Sequence, residues 1–218
     1  MDGKEHSHKE VSKKGQTRTK KKKENILYWS IGLIIAVVIL FFAATKFYSR
    51  EPDYPKITYN NWEFTKMADM WWFEWQKGEK LYTIPLRFNP YETEDVSMLG
   101  QLNMTLFNSG KYVYITFDLS NESSQDLTAL ALAATELTQN IATAINRVPL
   151  AACANNMSDA CEGRPIKTCS NTDEPVIYLK EGGEASITLD SNCIVLEGGG
   201  FELLRAVDRL LYHWYKIM

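Results

Sequence analysis

Four cysteines are the residues of this chain best suited to covalent chemistry: Cys153, Cys161, Cys169 and Cys193, spaced C-x7-C-x7-C-x23-C. Four thiols can hold a zinc ion or form disulfides. A structural zinc site normally takes its thiolates in close pairs, about two to four residues apart. No such pair is present. Disulfides need an even number of cysteines and an oxidising compartment. Four cysteines allow three pairings. We expect Cys153–Cys161, closing a small polar loop, and Cys169–Cys193, tying that loop to a later strand.

Acid–base and nucleophilic chemistry has less to work with. Beyond residue 50 the only histidine is His213, and a Ser-His-Asp or Cys-His arrangement would have to use it. Its neighbours Tyr212, Trp214 and Tyr215 suit a packed or surface helix end. Glu92, Glu94 and Asp95 share a polar turn, where a solvated loop explains them without catalysis. Asp118 closes a strand before a helix, a place where α/β folds gather ligands, though a capping role is commoner there. Gly198, Gly199 and Gly200 join a strand to a helix, as phosphate-binding loops do. A dinucleotide fingerprint starting at Gly198 would need a small residue where Leu203 stands, and a P-loop would need a following Lys-Ser/Thr. The glycines therefore read as a turn that folds the last helix back on a sheet. We expect no catalytic residues, metal site or cofactor.

Trp62, Trp71, Trp72 and Trp75 fall within 14 residues and carry the strongest hint of binding. Aromatic platforms bind partner proteins or sugars, but on a hairpin one alternate set must face the core. These four are the candidate partner-binding residues. Three Asn-x-Ser/Thr acceptors, at Asn103, Asn121 and Asn156, are candidate glycosylation sites.

The elements that must position these residues follow from periodicity. Residues 56–90 alternate as strands, with "WWFEWQKGEKLYTIPLRF" as a hairpin turning at "KGEK". Pro85 ends the returning strand or puts it at an edge. "VSMLGQLNMTLF" and "KYVYITFDL" read as two more strands. A long Ala- and Leu-rich helix runs from the capping residues 120–124 to about Asn146, stopped by Pro149. An irregular loop covers 153–169, "PVIYLK" is a short strand, and "ASITLDSNCIVLEG" is a second hairpin. The C-terminal helix sets Leu203, Leu204, Val207, Leu210, Leu211 and Trp214 on one face and Arg205, Asp208 and Arg209 on the other. The expected fold is α+β: an antiparallel or mixed sheet with a long central helix and a C-terminal amphipathic helix.

The N-terminal part is different in kind. Residues 1–24 hold nine Lys and Arg against four acids, while the whole chain is −3, so the remainder is about −8. Residues 1–25 lack apolar periodicity and are expected to be a disordered basic tail. Then "ILYWSIGLIIAVVILFFAAT" runs 20 residues without a charge. A helix of that length spans about 30 Å, the thickness of a bilayer's hydrocarbon core. Lys20, Lys21, Lys22 and Lys23 precede it closely, and positive charge stays on the cytoplasmic side. The basic run has no interleaved aromatics, so it is expected to fix orientation, with docking on anionic lipid headgroups as the alternative, rather than to bind nucleic acid. We expect a transmembrane helix over 26–48 contacting membrane lipid, a Pro-stiffened linker over 49–55, and an extracytoplasmic domain over 56–218. The rival is a cleaved signal peptide, whose apolar core is ordinarily shorter.

The outer domain resembles a group of small archaeal membrane-anchored proteins. The likeness rests on "LYTIPLRFNP" (81–90), "YITFD" (114–118), "RPIKTC" (164–169), "PVIYLK" (175–180), "NCIVLEG" (192–198) and "AVDRLLYHWYKIM" (206–218). It implies a single-pass anchor with a small cysteine-containing extracytoplasmic α+β domain, and it implies no activity. The expected function is an interaction or structural module with a protein partner at the cell surface. A binding domain for a small extracellular ligand or glycan is the first rival, and an extracytoplasmic hydrolase the second.

Overall fold

The computed structural model describes residues 28–46, 53–118 and 124–218. They divide between Asp53 and Tyr54 into two units. The first contains helix α1 (Tyr28–Lys46), 19 residues with a mean hydropathy of 2.3. Its residues are exposed all round, and the chain buries none of the apolar window among the described residues. A helix apolar on every side ordinarily lies inside a protein or a membrane. The basic tail over 1–25 with Lys20 to Lys23, the expected helix flanks at 26, 27, 47 and 48, and linker residues 49–52 lie outside the described residues.

The second unit, Tyr54–Met218, is α+β with two sheets. The first is an antiparallel meander of β1 (Lys56–Tyr59), β2 (Trp62–Met67), β3 (Met70–Lys77) and β4 (Lys80–Leu86). Residues 56–67 form a hairpin of their own, which alternation alone does not reveal. The strands turn at Asn60-Asn61 (φ 44° and 68°) and at Ala68-Asp69 (φ 50° and 60°). Paired left-handed residues match the twist of two-residue hairpins, and Asn and Asp tolerate that conformation better than most. Pro85 lies on β4, an edge strand of the meander.

The second sheet has six strands in the order β5-β9-β10-β8-β6-β7: β5 (Ser97–Leu102), β6 (Tyr112–Phe117), β7 (Val148–Cys153), β8 (Val176–Lys180), β9 (Ser186–Ser191) and β10 (Cys193–Glu197). Only β9 and β10 pair antiparallel. Two segments depart from the periodicity reading. "NMTLF" does not extend β5; Asn103 caps a single helical turn, α2 (Met104–Phe107). Helix α3 (Ser124–Ala144) ends before Asn146, and the chain returns as β7, parallel to β6. Pro149 therefore does not merely stop a helix. It sits in an edge strand, where a missing N–H need not break a ladder.

Helix α4 (Phe201–Trp214) packs against α3, β9 and β10, and its tyrosine Tyr212 meets Phe64 and Phe73 of the meander. Contact on more than one side explains why Asp208, expected on a solvent face, is completely buried. The sheet side of the core is Val113, Ile115, Ile177, Leu179, Ile194 and Leu196.

Candidate functional site

Strand pairing splits the four tryptophans. Trp71, Phe73 and Trp75 stand opposite Leu86, Ile84 and Tyr82 on the inner face, while Trp72 and Glu74 stand opposite Pro85 and Thr83 on the outer face. Trp71 is buried, and Trp75 packs edge-on against Tyr215 at 4.9 Å between ring centroids. Trp62 packs edge-on against Phe73 at 6.2 Å. These three belong to the core or its margin. Trp72 alone of the four turns outward, half-buried, its indole N–H donating to the Met67 carbonyl at 3.0 Å.

The outer face around Trp72 is concave. Strands β2 and β3 pair only from Met67–Met70 to Thr65–Trp72. Beyond that point β2 continues against β1, and β3 against β4. Beneath the separation lie the rings of Phe73 and Phe64, 5.2 Å apart, with Tyr212 and Tyr215 below them. These rings close the inner side and leave the outer side open as a cleft of about 390 Å³. Its walls carry Glu63 and Thr65 from β2, Trp72 and Glu74 from β3, and Thr83 from β4. Both carboxylates are exposed.

The other concentration of ionisable groups is closed to solvent, and the sequence reading missed it. Glu136 of α3 and Asp208 of α4 are both buried and interact directly. Asp208 Oδ2 accepts from the backbone N–H groups of Arg87 (2.9 Å) and Phe88 (2.8 Å). Tyr212 donates to the Phe88 carbonyl at 2.6 Å, so α4 holds the chain leaving β4 at two points. Arg87 Nε lies 3.4 Å from Glu136 Oε1, an ion pair without hydrogen-bond alignment. Asn140 donates to the Glu136 carbonyl and accepts from Tyr215. Arg209 Nε and Nη1 are buried without hydrogen-bond partners. Burial pushes the Glu136 carboxyl up to about 7 against the pull of Arg87. Burial, and then the charge of Glu136, holds Asp208 well above the usual carboxylate range. A signal was present: Glu136 and Asn140 lie one turn apart beside Leu137 and Ile141, and Asp208 is one turn from both Leu204 and Tyr212. A polar residue on an apolar stripe is the informative exception.

The cysteines pair as Cys153–Cys161 and Cys169–Cys193, with Cα atoms 5.9 and 5.4 Å apart. Among the described residues no three or more His, Cys, Asp and Glu side chains gather around one metal position. His213 is exposed near the end of α4. Asp118 accepts from Asn155 at 2.9 Å. Glu92 closes a capping box with Asn89, and Asp95 pairs with Arg205, which also holds Glu202 at 2.6 Å and the Glu92 carbonyl at 3.0 Å. Gly198 approaches the start of α4 so closely that a Cβ there would lie 2.5 Å from the Leu203 nitrogen. The glycine turn thus serves a close backbone contact. Asn103 Oδ1 caps α2, accepting from Thr105 and Leu106. Asn156 is exposed, and Asn121 lies outside the described residues.

No family model, curated protein or solved structure matches the chain.

Proposed function

We propose that this chain is a single-pass membrane protein whose disulfide-bonded α+β domain is an extracytoplasmic interaction module, contributing to a cell-surface or membrane assembly rather than catalysing a reaction. The observation that carries the reading is α1: an apolar helix with no buried face among the described residues, beside a domain that carries two disulfides. A helix of 19 residues rises about 28 Å, close to the hydrocarbon thickness of a bilayer. Disulfides persist outside the reducing cytosol. Together with the basic residues Lys20 to Lys23 before the helix, they favour a cytoplasmic N-terminus and an outward domain.

The interaction reading rests on how the chemically able groups are used. The acids of the α3–α4 contact are buried, Asp208 against backbone N–H groups and Glu136 against Arg87; Arg205 binds acids of its own surface, and the cysteines are paired. The outer face of the meander offers an accessible concave surface. A small-ligand reading draws on the same cleft.

Protease added to intact cells tests the topology, combined with crosslinking in native membranes. The domain should be degraded while the N-terminal tail survives in the membrane pellet, and a specific crosslinked neighbour should appear. A chain released intact by alkaline carbonate, or a protected C-terminal domain, would overturn the anchor. A full-length chain that crosslinks only to itself at random collision yield would overturn the module.

A further inference from the structure

We propose that the cleft between β2 and β3 binds an organic cation, an alkylammonium or guanidinium group carried by a small molecule or by the lysine or arginine side chain of a partner. This gives the interaction module a ligand chemistry, and rests on that reading only for where the cation is met.

Three observations converge on it. The first is shape. The two strands part beyond Thr65 and Trp72, and about 390 Å³ opens on the outer face. The second is charge. Glu63 and Glu74 stand on opposite walls, and no lysine or arginine lines the space. Lys56 already binds Glu63 from the neighbouring strand at 2.9 Å. Among the described residues Glu74 has no such partner. An anionic ligand would meet the Glu63–Lys56 pair and the unpaired Glu74, a net negative charge. A neutral ligand would leave Glu74 uncompensated. The third is the ring. A carboxylate beside an aromatic face is the pairing that holds organic cations. The same sheet already sets cations against indole rings: Lys66 lies 5.5 Å from the Trp71 ring centroid and Lys77 lies 5.8 Å from that of Trp75. Trp72, on the cleft side, carries no cation among the described residues. Its N–H is tied to Met67, which fixes the indole in place before any ligand arrives.

Titration calorimetry on the full-length chain in nonionic detergent tests the site. The probes are n-butylammonium for a free amine and the peptide Ac-Gly-Lys-Gly-amide for a partner's side chain. Both should bind saturably at one site. Equal affinities would assign the site to small amines, and tighter binding of the peptide would assign it to a protein partner. Loss of a single charge-assisted or ring contact should weaken binding by about fivefold or more in Glu74→Gln and Trp72→Leu. Glu181→Gln, which removes an exposed acid elsewhere, should change it by less than about twofold. Circular dichroism and a cooperative unfolding transition well above the titration temperature establish that each variant is folded. No saturable binding, or equal weakening by Glu181→Gln, would overturn the proposal. So would binding of methyl glucoside without competition from n-butylammonium. The anchoring of the chain is read separately by membrane fractionation, so failure of the cleft and failure of the topology give different results.

Discussion

Glu136 and Asp208 meet where α3 and α4 pack together, and the oxygens Glu136 Oε1, Glu136 Oε2 and Asp208 Oδ1 lack a hydrogen-bond donor there. One proton on either acid supplies a donor between them. Two ionised carboxylates in that space would repel, with Arg87 too poorly aligned to compensate fully. The pair is therefore a stability element with a definite sign in pH. Unfolded, Glu136 titrates near its ordinary value of 4.5; folded, burial raises it to about 7. Between those values the folded chain holds a proton that the unfolded chain has released. Its contribution is complete below pH 4.5 and is lost as pH rises through 7. At about 1.4 kcal/mol per pH unit the whole change is on the order of 3 kcal/mol. We expect the stability difference between wild type and Glu136→Gln, measured by urea unfolding at several pH values, to fall from pH 5 to pH 7. A difference that is flat or rises over that window would show that the pair does not hold the proton. Groups around the pair are Arg87, which follows β4, Asn140 from α3 and Tyr212 from α4, so the slope belongs to the cluster and not to one side chain. Elsewhere Asp95 and Glu174 are held below the usual range by hydrogen bonds from Arg205 and Lys167, and they act in the opposite direction at lower pH.

The elements differ in how openly the sequence declares them. The hairpin of β3 and β4, the hairpin of β9 and β10, strand β6 and helix α4 each have a spacing that burial broadly follows, and β8 is legible as a short apolar run. The first hairpin was hidden because its turn, Asn60-Asn61, lacks the glycine that usually marks a two-residue connection. Strand β7 was hidden because Pro149 reads as a breaker until the strand is known to lie at an edge. The candidate cleft was legible only as a choice between two faces of β3. Alternation places Trp72 and Glu74 together, but it cannot say that β2 and β3 part beyond Thr65. That separation belongs to the tertiary packing of Phe64, Phe73, Tyr212 and Tyr215 beneath the strands. The two faces should behave differently when truncated. Phe73→Ala empties a buried ring site touched by four other rings and should cost about 3–5 kcal/mol. Trp72→Ala removes a half-buried ring and one hydrogen bond and should cost about 1–2 kcal/mol. Urea unfolding of the full chain in detergent measures both. Equal costs would mean that the outer face of β3 is covered, and that the cleft is not open.

On the scale of the whole domain, the segment between β7 and β8 has little regular structure, with one short 3-10 turn and an isolated bridge between Cys153 and Ile166. It nevertheless covers part of the mixed sheet. Thr116 donates to the Lys167 carbonyl at 2.7 Å, Lys167 sits 5.1 Å from the Tyr114 ring centroid, and Asn192 donates to the carbonyls of Thr172 and Glu174. A segment with so few apolar contacts does not offset its own ordering entropy. The disulfides supply the difference. One holds it to the carboxyl end of the edge strand β7, and the other to the start of the central strand β10. On the chain-entropy account a sequence separation of 8 is worth about 2.5 kcal/mol and one of 24 about 3.5 kcal/mol. We expect Cys169→Ser/Cys193→Ser to lower stability by about 1 kcal/mol more than Cys153→Ser/Cys161→Ser, because it frees the longer loop. Reduction of the native chain should raise amide exchange over residues 154–175 before it affects α3, α4 or the meander, which are held by the core. Simultaneous exchange throughout the domain would mean that the bridges hold the fold as a whole. The same two bonds bear on where the protein works. In a reducing compartment the chain would lose both contributions at once, about 6 kcal/mol by this account, comparable to the entire stability of many domains. Alkylation of protein taken directly from cells, without reductant, should therefore modify none of the four cysteines, and modification of all four would place the folded chain in a reducing compartment.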